Sequence, residues 1–567
     1  MKRILLLLIF SLILFSCARV GSPVGGDKDT IPPNVVGSNI DTARINVPVD
    51  IRELRIDFDE YITLKEINKN LIISPPIKIK KILPSGMANK YLVIKWDDTL
   101  QANTTYNFNF GNAIVDNNEG NALKYYNFAF STGKKIDDLY ISGEVNTLVP
   151  NKNAKADEKN LVVGLYQVKD TMNYRQKPYY ITKVDPDGYF ELNYLSPGKY
   201  RILAFDDTNS NSVFDAGKEN VGFIQDEVNL DKSISGLKIN LFPSKKTVRY
   251  TEMKEVPGGI LMFFEGNPDQ VKVTAKGNKP ENYKVTHLPK SDSVYIWFDA
   301  KKENLGITQS ENLKFAYDNG VKKDSASIFY RFNAKNEMTI SNAKGNLLPP
   351  KQDFVFSSNY EVDKIQPEKW KLVSDSIQQE FTAKISEKNP FEIQLSSQFK
   401  EGKKYSLTVP KETVSSFFAN NAKSYRFDFQ VDKTENYGIF FVTLKNTPTH
   451  NFWVQMLNET GDVAYSRYGR ETQLIFNSIK PGRYQLRILV DNNENGSWDT
   501  ADFENNKFAE DVYIFEKKID IRPLWEIREN WDLSPKKEEP KSIPESPANQ
   551  LKPETPNANI PKIIKSK

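Results

Sequence analysis

Hydrophobic and polar residues alternate with a period of two in many short stretches of the chain, as in strands that bury one face. The alternation is clear at residues 54–58, 106–110 and 425–431. Residues 439–444 form an almost continuous apolar run instead, which predicts a strand buried on both faces. Clusters of Asn, Asp and Gly separate such runs, for example at 116–121. The pattern therefore predicts an all-β protein built from several sandwiches.

Helical periodicity is nearly absent from the chain. Residues 363–370 and 410–420 are the two segments in which a helical turn or two is expected. The chain has 567 residues, and about 100–200 residues per domain gives three to five domains. Aromatic residues make up 12% of the chain, which is enough to build β cores and excludes disorder throughout.

The first residues have the pattern of an export signal. Lys2 and Arg3 precede the apolar run 4–15, which only Ser11 interrupts. Spanning a bilayer takes about 20 apolar residues, so this run is too short to span and instead suits a secretory signal peptide. We therefore predict that residues 1–16 are cleaved from the mature protein.

The only cysteine, Cys17, follows a Leu at 14 and a small residue, Ser16. This order resembles the lipobox of bacterial lipoproteins, which implies cleavage before Cys17 and a diacylglycerol on its sulfur. The alternative is a free or buried Cys after an ordinary signal peptide. Since two lipid chains anchor a protein stably, the resemblance implies a body held on a membrane.

Both ends of the mature chain are irregular in composition. Residues 17–33 hold small residues and prolines, which predicts a lipidated tether. Residues 533–567 are rich in Pro, Lys and Glu, and we predict a disordered C-terminal tail there. A peptide that docks onto a partner is the alternative for this tail.

Charge argues against a nucleic-acid partner. The 77 Lys and Arg residues nearly balance the 73 Asp and Glu residues, leaving a net charge of +4. Proteins that bind nucleic acids usually carry a basic face and a high pI, and their affinity depends on clustered Lys and Arg. We therefore predict no nucleic-acid binding.

Catalytic motifs are missing from the sequence. No two glycines are spaced i, i+2, which excludes a GxGxxG loop, and neither GxSxG nor HExxH occurs. The two histidines, His287 and His450, are expected at a strand end or in a loop. A hydrolase using a pair of carboxylates needs no such motif and stays open as an alternative. We predict that the protein is not an enzyme.

The chain contains an internal repeat. The sequence PGKYRIL at 197–203 is followed by the acidic loop DTNSNSVFD at 207–215. The sequence PGRYQLR at 481–487 is followed by DNNENGSWD at 491–499, with the same spacing. Each copy predicts a strand, a Pro-Gly turn, a second strand and an acidic loop.

Residues 29–133 resemble the bacterial Ig-like domain of large outer-membrane lipoproteins from Bacteroidota. The motifs that carry the resemblance are DTIPP at 29–33, FDE at 58–60, LIISPP at 71–76, NTTY at 103–106 and FAFSTG at 128–133. The two Pro-Gly-x-Tyr copies resemble transthyretin-like, or carboxypeptidase-regulatory-like, sandwiches. These resemblances imply surface or periplasmic binding and scaffolding roles and no common enzymatic activity.

The fold class we predict is all-β, with tandem Ig-like and transthyretin-like β-sandwiches between a cleaved signal peptide and a disordered tail. After the signal peptide and tether, the predicted domains are a bacterial Ig-like domain at 34–133, a transthyretin-like sandwich at 136–245, a β domain at 246–334, a degenerate Ig-like domain at 335–432 and a second transthyretin-like sandwich at 433–532.

The second acidic loop has the oxygen spacing of a twelve-residue calcium loop, with Gly496 at the sharp turn. The ligands this spacing predicts are Asp491, Asn493, Asn495, Ser497 through its carbonyl, Asp499 and Asp502. The first loop offers a weaker set, namely Asp207, Asn209, Asn211 and Asp215, with Glu219 as a substitute at the last position. Structural Ca²⁺ is the predicted cofactor, and a turn held by its own hydrogen bonds is the alternative.

Three pairs of adjacent aromatics, 125–126, 179–180 and 417–418, would each place one ring on the outer face of a strand. Such rings bind glycans, or they pack against a neighbouring domain.

The function we predict is that of an outer-membrane lipoprotein acting as a scaffold or accessory subunit of an outer-membrane complex for assembly, export or retention of surface proteins. Its predicted partners are the membrane, through the lipid, and a β-barrel or other lipoproteins. The alternative is a glycan-binding or adhesive surface lipoprotein. The membrane face that the body occupies stays open.

Overall fold

The computed structural model describes residues 28–149, 160–169, 173–277, 279–288, 291–320, 322–342 and 344–534. It is nearly all-β, with 52% strand and 2% helix, which confirms the predicted fold class of tandem β-sandwiches. The predicted signal peptide, Cys17 and the tail from residue 535 lie outside the described residues. Among the described residues, no helix has the length and apolarity needed to cross a membrane.

The N-terminal unit, residues 34–133, has the strands β1 Val35–Ser38, β2 Glu53–Leu64, β3 Ile72–Ser74, β4 Ile79–Leu83, β5 Asn89–Trp96, β6 Thr105–Gly111, β7 Ile114–Asp116 and β8 Tyr126–Ser131, and the short helix α1 Ile67–Asn70. One sheet runs β1-β2-β5-β4, with β7 on β2, and the other runs β3-β6-β8. Alternating residues of both sheets meet in one core, where Trp96, Phe108 and Phe130 are buried.

The first repeat, residues 136–245, has the strands β9 Leu139–Thr147, β10 Leu161–Gln167, β11 Tyr180–Lys183, β12 Tyr189–Leu195, β13 Gly198–Asp206, β14 Asn220–Phe223, β15 Val228–Leu230 and β16 Ile234–Pro243. They join in one continuous sheet of order β11-β10-β13-β14-β16-β9-β12, with β15 on β13. The first and last strands, β9 and β16, pair in parallel. The folded sheet encloses a core that includes Ile141, Leu165 and Ile202.

The unit 246–334 has the strands β17 Arg249–Val256, β18 Gly259–Glu265, β19 Lys272–Ala275, β20 Tyr283–His287, β21 Ser293–Phe298, β22 Glu311–Asp318 and β23 Lys323–Tyr330. Its sheets run β17-β18-β21-β20 and β19-β22-β23. They face each other across a core that includes Met262, Ile296 and Phe315.

The unit 335–432 has the strands β24 Ile340–Ser341, β25 Leu347–Leu348, β26 Phe354–Ser358, β27 Lys364–Ile365, β28 Lys371–Ser374, β29 Ile377–Gln378, β30 Phe381–Ile385, β31 Glu392–Ser397, β32 Lys404–Val409, β33 Val414–Ser415 and β34 Tyr425–Val431. Its main sheets run β24-β26-β31-β30 and β25-β34-β32-β28-β29. The core is rich in aromatic rings, with Phe354 stacked on Phe429 at 4.0 Å between ring centroids.

The second repeat, residues 433–532, has the strands β35 Gly438–Lys445, β36 Asn451–Leu457, β37 Val463–Gly469, β38 Gln473–Ile479, β39 Gly482–Asp491, β40 Val512–Ile521 and β41 Glu526–Asp532. Its sheets run β38-β35-β41 and β37-β36-β39-β40. Its first and last strands, β35 and β41, pair in parallel, as β9 and β16 do in the first repeat.

Both repeats close the Pro-Gly turn in the same way. The hydroxyl of Tyr200 donates to the carbonyl of Ser196 at 2.9 Å, and the hydroxyl of Tyr484 donates to the carbonyl of Lys480 at 2.8 Å. The tyrosine of the Pro-Gly-x-Tyr pattern thus ties each turn to the strand before it.

The alternating segments form strands as predicted, but the apolar run 439–444 is buried on one face only. Phe440, Val442 and Leu444 are buried, whereas Ile439 and Phe441 are only partly covered. The prediction of burial on both faces was wrong because continuity of apolar residues does not show what covers the outer face.

The two helical segments are short or missing. Residues 363–370 hold a 3₁₀ turn, Pro367–Lys369, whereas residues 410–420 hold the strand β33 and no helix. A further 3₁₀ turn, Thr434–Asn436, follows unit 335–432.

Candidate functional site: the joint between the two repeats

The two repeats, whose Pro-Gly turns lie 284 residues apart in the chain (197 and 481), contact each other through aromatic rings. Phe503, which is 4% exposed, lies in the loop between β39 and β40 of the second repeat. Its ring packs edge-on against Tyr174 at 4.3 Å and Phe223 at 5.1 Å, both in the first repeat. The outer face of β10, β13 and β14 thereby becomes a buried apolar cluster that includes Ala501.

Polar contacts surround this cluster. The ammonium of Lys245 lies 2.9 Å from the carboxylate of Asp502, and the guanidinium of Arg201 donates to the side chain of Asn506 at 2.7 Å. The backbone N–H of Lys245 also donates to the carbonyl of Ala501 at 2.8 Å. We call the contact made by residues 498–510 on the first repeat the clasp.

The second acidic loop lies at the base of the clasp and is closed by its own hydrogen bonds. One oxygen of Asp491 accepts the N–H of Asn495 at 3.0 Å, and the other accepts the N–H of Gly496 at 2.9 Å. Gly496 has φ +78°, a conformation that glycine adopts without strain. The side-chain N–H of Asn493 donates to Asp499 at 2.6 Å. The residues predicted at 491, 493, 495 and 499 therefore come together.

Glu510, which the spacing did not identify, completes this loop. Its carboxylate accepts the N–H groups of Asp499 at 2.8 Å and Asn493 at 3.2 Å. Burial raises the pKa of Glu510 above its usual value. The sequence holds no local signal for this residue, because nineteen positions separate it from Asp491.

The first acidic loop repeats the arrangement. Asp207 accepts the N–H groups of Asn211 at 3.0 Å and Ser212 at 2.9 Å, and Asn209 donates to Asp215 at 2.7 Å.

Glu219 takes the place that Glu510 holds in the second loop, accepting the N–H of Asp215 at 2.9 Å. Burial raises the pKa of Glu219 to about 7. Glu219, predicted as the substitute ligand of the weaker loop, closes that loop through its hydrogen bonds, and its role as a calcium ligand stays a prediction.

Two residues of the predicted calcium set are used differently. Asp502 pairs with Lys245 and Asn505, and although burial opposes it, these hydrogen bonds lower the pKa of Asp502. Ser497 donates its N–H to the side-chain oxygen of Asn495 at 2.7 Å.

Among the described residues, no group of three or more His, Cys, Asp and Glu side chains is arranged to hold a metal ion. Calcium therefore stays a prediction. Binding would require the side-chain amides of Asn493 and Asn495, whose N–H groups now donate to Asp499, to turn so that their oxygens face the ion.

Calcium is expected to raise the unfolding midpoint of the protein through Glu510 and not through Asp502. At a calcium concentration a hundred times the dissociation constant, binding stabilises the folded state by about 2.7 kcal/mol. We expect Glu510→Gln to remove this increase, since it deletes a charged oxygen from the loop, and Asp502→Asn to keep it. Thermal unfolding with Ca²⁺ and with a chelator measures both, and an equal response in the two variants contradicts the prediction.

Two of the predicted aromatic pairs each contribute one ring to a contact between units. The hydroxyl of Tyr179 donates to Gln101 of the N-terminal unit at 3.1 Å. The ammonium of Lys284, from unit 246–334, lies 3.3 Å from the ring centre of Phe417. Tyr125 alone among these residues is largely exposed, at 67%. Of these six rings, Tyr125 alone is exposed enough to meet the first interpretation, and glycan binding stays a prediction.

The two histidines lie at a strand end and in a turn, as the sequence predicted. His287 ends β20 and its Nε2 lies 2.8 Å from the carbonyl of Val271. His450 lies in the turn before β36, with its Nδ1 3.8 Å from Glu494.

Residues 29–132 match the family described as bacterial Ig-like domain, and the match covers the N-terminal unit only. No curated protein matches the chain.

Several solved structures are similar. The surface layer protein SbsC, domains 1–6, is 11% identical, with 86% of this chain and 67% of that chain covered and a TM-score of 0.15. BcpA, the major pilin subunit of Bacillus cereus, is 10% identical, with 70% and 99% covered and a TM-score of 0.13. SGBP-B of the Bacteroides ovatus mixed-linkage glucan utilization locus, in complex with a mixed-linkage heptasaccharide, is 10% identical, with 64% and 87% covered and a TM-score of 0.20. Likeness at this level carries no functional inference.

Proposed function

We propose that this protein is a non-enzymatic outer-membrane lipoprotein that serves as a scaffold or accessory subunit of an outer-membrane protein complex. The observation that carries the proposal is the clasp. It joins two repeats that are separated in the sequence by the 187 residues of the two units between them (246–432).

The units between the repeats are also joined to their neighbours. Trp297 of unit 246–334 lies in the core of unit 335–432, and the hydroxyl of Ser478 in the second repeat donates to the carbonyl of Pro350 at 3.1 Å. Gly217 of the first repeat lies close against Lys246 of the next unit, since a Cβ at position 217 would lie 3.2 Å from the Cα of Lys246. Four units are therefore closed into a ring of contacts, which holds their outer surfaces at fixed positions, as a scaffold requires.

The membrane anchor is tested by changing Cys17. We expect Cys17→Ala to abolish membrane retention, because no thiol then carries the lipid and two or more acyl chains supply the anchoring energy. Ser16→Ala is the matched control, since a small residue still precedes the cysteine, and it should stay with the outer membrane. Fractionation and mass measurement of the N-terminal peptide distinguish the two. A Cys17→Ala protein that still sediments with outer membrane is held by another protein.

Affinity purification tests the scaffold role. A tag on the C-terminal tail, used on mild-detergent extracts of outer membrane, should recover a β-barrel or second lipoprotein in a fixed ratio. Phe503→Ala, which loosens the clasp, should lower that recovery while leaving the anchor in place. A protein that purifies alone argues against the scaffold and for the glycan-binding alternative.

A further inference from the structure

A small polar cavity lies between the N-terminal unit and the first repeat. One wall is the face of β3, β6 and β8 that points away from the core of the N-terminal unit, and the other wall is formed by β11 and β12. The cavity has a volume of about 20 Å³, whereas one water molecule needs roughly 10–15 Å³. Pockets for small organic molecules measure roughly 300–1,000 Å³, so this cavity has the size of a site for water.

Two amide oxygens of residues that line this cavity are buried without a hydrogen-bond donor. They are the Oδ1 atoms of Asn107 and Asn127, which have no partner in the described part of the chain. The Nδ2 of Asn127 donates to the carbonyl of Tyr125 at 3.0 Å, which leaves its Oδ1 for another donor. Asn107 and Asn127 are diagonal neighbours on one face of the paired strands β6 and β8, with their Cα atoms about 7–8 Å apart. A single small ligand can therefore reach both oxygens.

Two buried hydroxyl groups line the same cavity. Thr182 of β11 is 8% exposed, and among the described residues its hydroxyl has no hydrogen-bond partner. Ser74 of β3 is 5% exposed, and its oxygen accepts the N–H of Ile181 at 3.1 Å, which leaves its own O–H to donate elsewhere. Ser74 also lies directly opposite Asn107 in the sheet. Because a buried polar group without a hydrogen bond costs free energy, this set of two donors and two acceptors calls for a shared partner.

We propose that the cavity binds an ordered water molecule that joins the N-terminal unit to the first repeat. Water offers two O–H donors and two acceptor positions, and a buried water typically makes about three hydrogen bonds. Its O–H groups donate to the amide oxygens of Asn107 and Asn127. Its oxygen accepts the hydroxyl groups of Ser74 and Thr182. One water molecule thereby completes the hydrogen bonding of four buried groups from both units.

The water belongs to a joint that is held by hydrogen bonds. The hydroxyl of Tyr179 donates to Gln101 at 3.1 Å, and the N–H of Asp137 donates to the hydroxyl of Thr105 at 2.9 Å. Within the described ranges, the buried apolar clusters of the N-terminal unit and of the first repeat have no member in common. The clasp, by contrast, is filled by aromatic rings. A bridging water therefore contributes more to this joint than it would to the clasp.

A crystal structure of the full chain, prepared in detergent, tests the water directly. It should show an ordered water within hydrogen-bond distance of the Oδ1 atoms of Asn107 and Asn127 and of the Oγ1 atom of Thr182. Thr182→Val keeps the shape of the side chain and removes the hydroxyl, so it should lose the water, whereas Thr182→Ser should keep it. A metal ion in the cavity, an empty cavity, or direct hydrogen bonds among these side chains overturns the proposal.

A double-mutant cycle tests the bridge in solution, because Asn107 and Thr182 lie in different units and share no direct hydrogen bond. Thr182→Val and Asn107→Ala should each lower the thermal unfolding midpoint of the full chain. Together they should lower it by clearly less than the sum, since both remove partners of the same water. Thr274→Val is the matched control: Thr274 is exposed on β19 of unit 246–334, so its effect should add to that of Asn107→Ala. Additive effects of Thr182→Val and Asn107→Ala would show that no water couples the two residues.

Discussion

Replacing Phe503 with Ala is expected to open the clasp while leaving each sandwich folded. The ring is 4% exposed and contacts Tyr174, Phe214 and Phe223 across the joint. Truncating a buried Phe to Ala typically costs about 3–5 kcal/mol. Since Phe503 lies in a loop and outside the core of its own repeat, this loss falls on the contact between the repeats.

Small-angle scattering should then show a larger radius of gyration, and proteases should cut within residues 498–510. Phe508→Ala is the matched control, because Phe508 is 52% exposed and stacks only on Phe223 among the rings of the joint. It should change neither measurement much. If Phe503→Ala lowers the unfolding midpoint with no change in radius, the clasp does not hold the repeats together.

The sequence predicts the two acidic loops and leaves the clasp unforeseen. The spacing of Asp and Asn predicted that residues 491, 493, 495 and 499 lie together, and they do, because those contacts are local and repeat at short intervals. Calcium binding by them stays a prediction. Glu510 and Phe503 come after the regular spacing ends, and their partners are set by tertiary packing. Phe503 was the available signal, since a Phe in an Asn- and Asp-rich loop has no partner nearby in the sequence.

The same limit applies to the apolar run 439–444. A continuous apolar run indicates that both faces of a strand are apolar. It does not indicate whether residues of this chain cover the outer face. Phe440 and Val442 face the core of the second repeat, whereas Phe441 faces outward beside Ile475. The prediction failed at Ile439 and Phe441, which the rest of the described chain covers only in part.

Replacing Trp297 with Ala is expected to uncouple units 246–334 and 335–432. Trp297 belongs to β21 of the first of these units, yet it is 1% exposed in the core of the second, stacked between Tyr295 at 4.8 Å and Tyr360 at 5.7 Å. Its indole N–H donates to the hydroxyl of Thr286 at 3.1 Å. The backbone of unit 246–334 also lies close against Tyr360 of the other unit, since a Cβ at Gly258 would lie 2.3 Å from the ring of Tyr360.

Because the ring is shared, its removal should lower the free energy of unfolding by about 3–5 kcal/mol, and both units should lose stability at once. Calorimetry of the native protein should show the two units melting together, and Trp297→Ala should split that transition in two. Phe298→Ala is the control: the neighbouring ring is 2% exposed but packs on Tyr330 inside unit 246–334, so it should lower the stability of that unit without touching the shared core. A Trp297→Ala protein that melts at a lower temperature in one undivided transition would show that other contacts, such as the ion pair of Lys284 with Glu361 at 3.1 Å, are enough to couple the units.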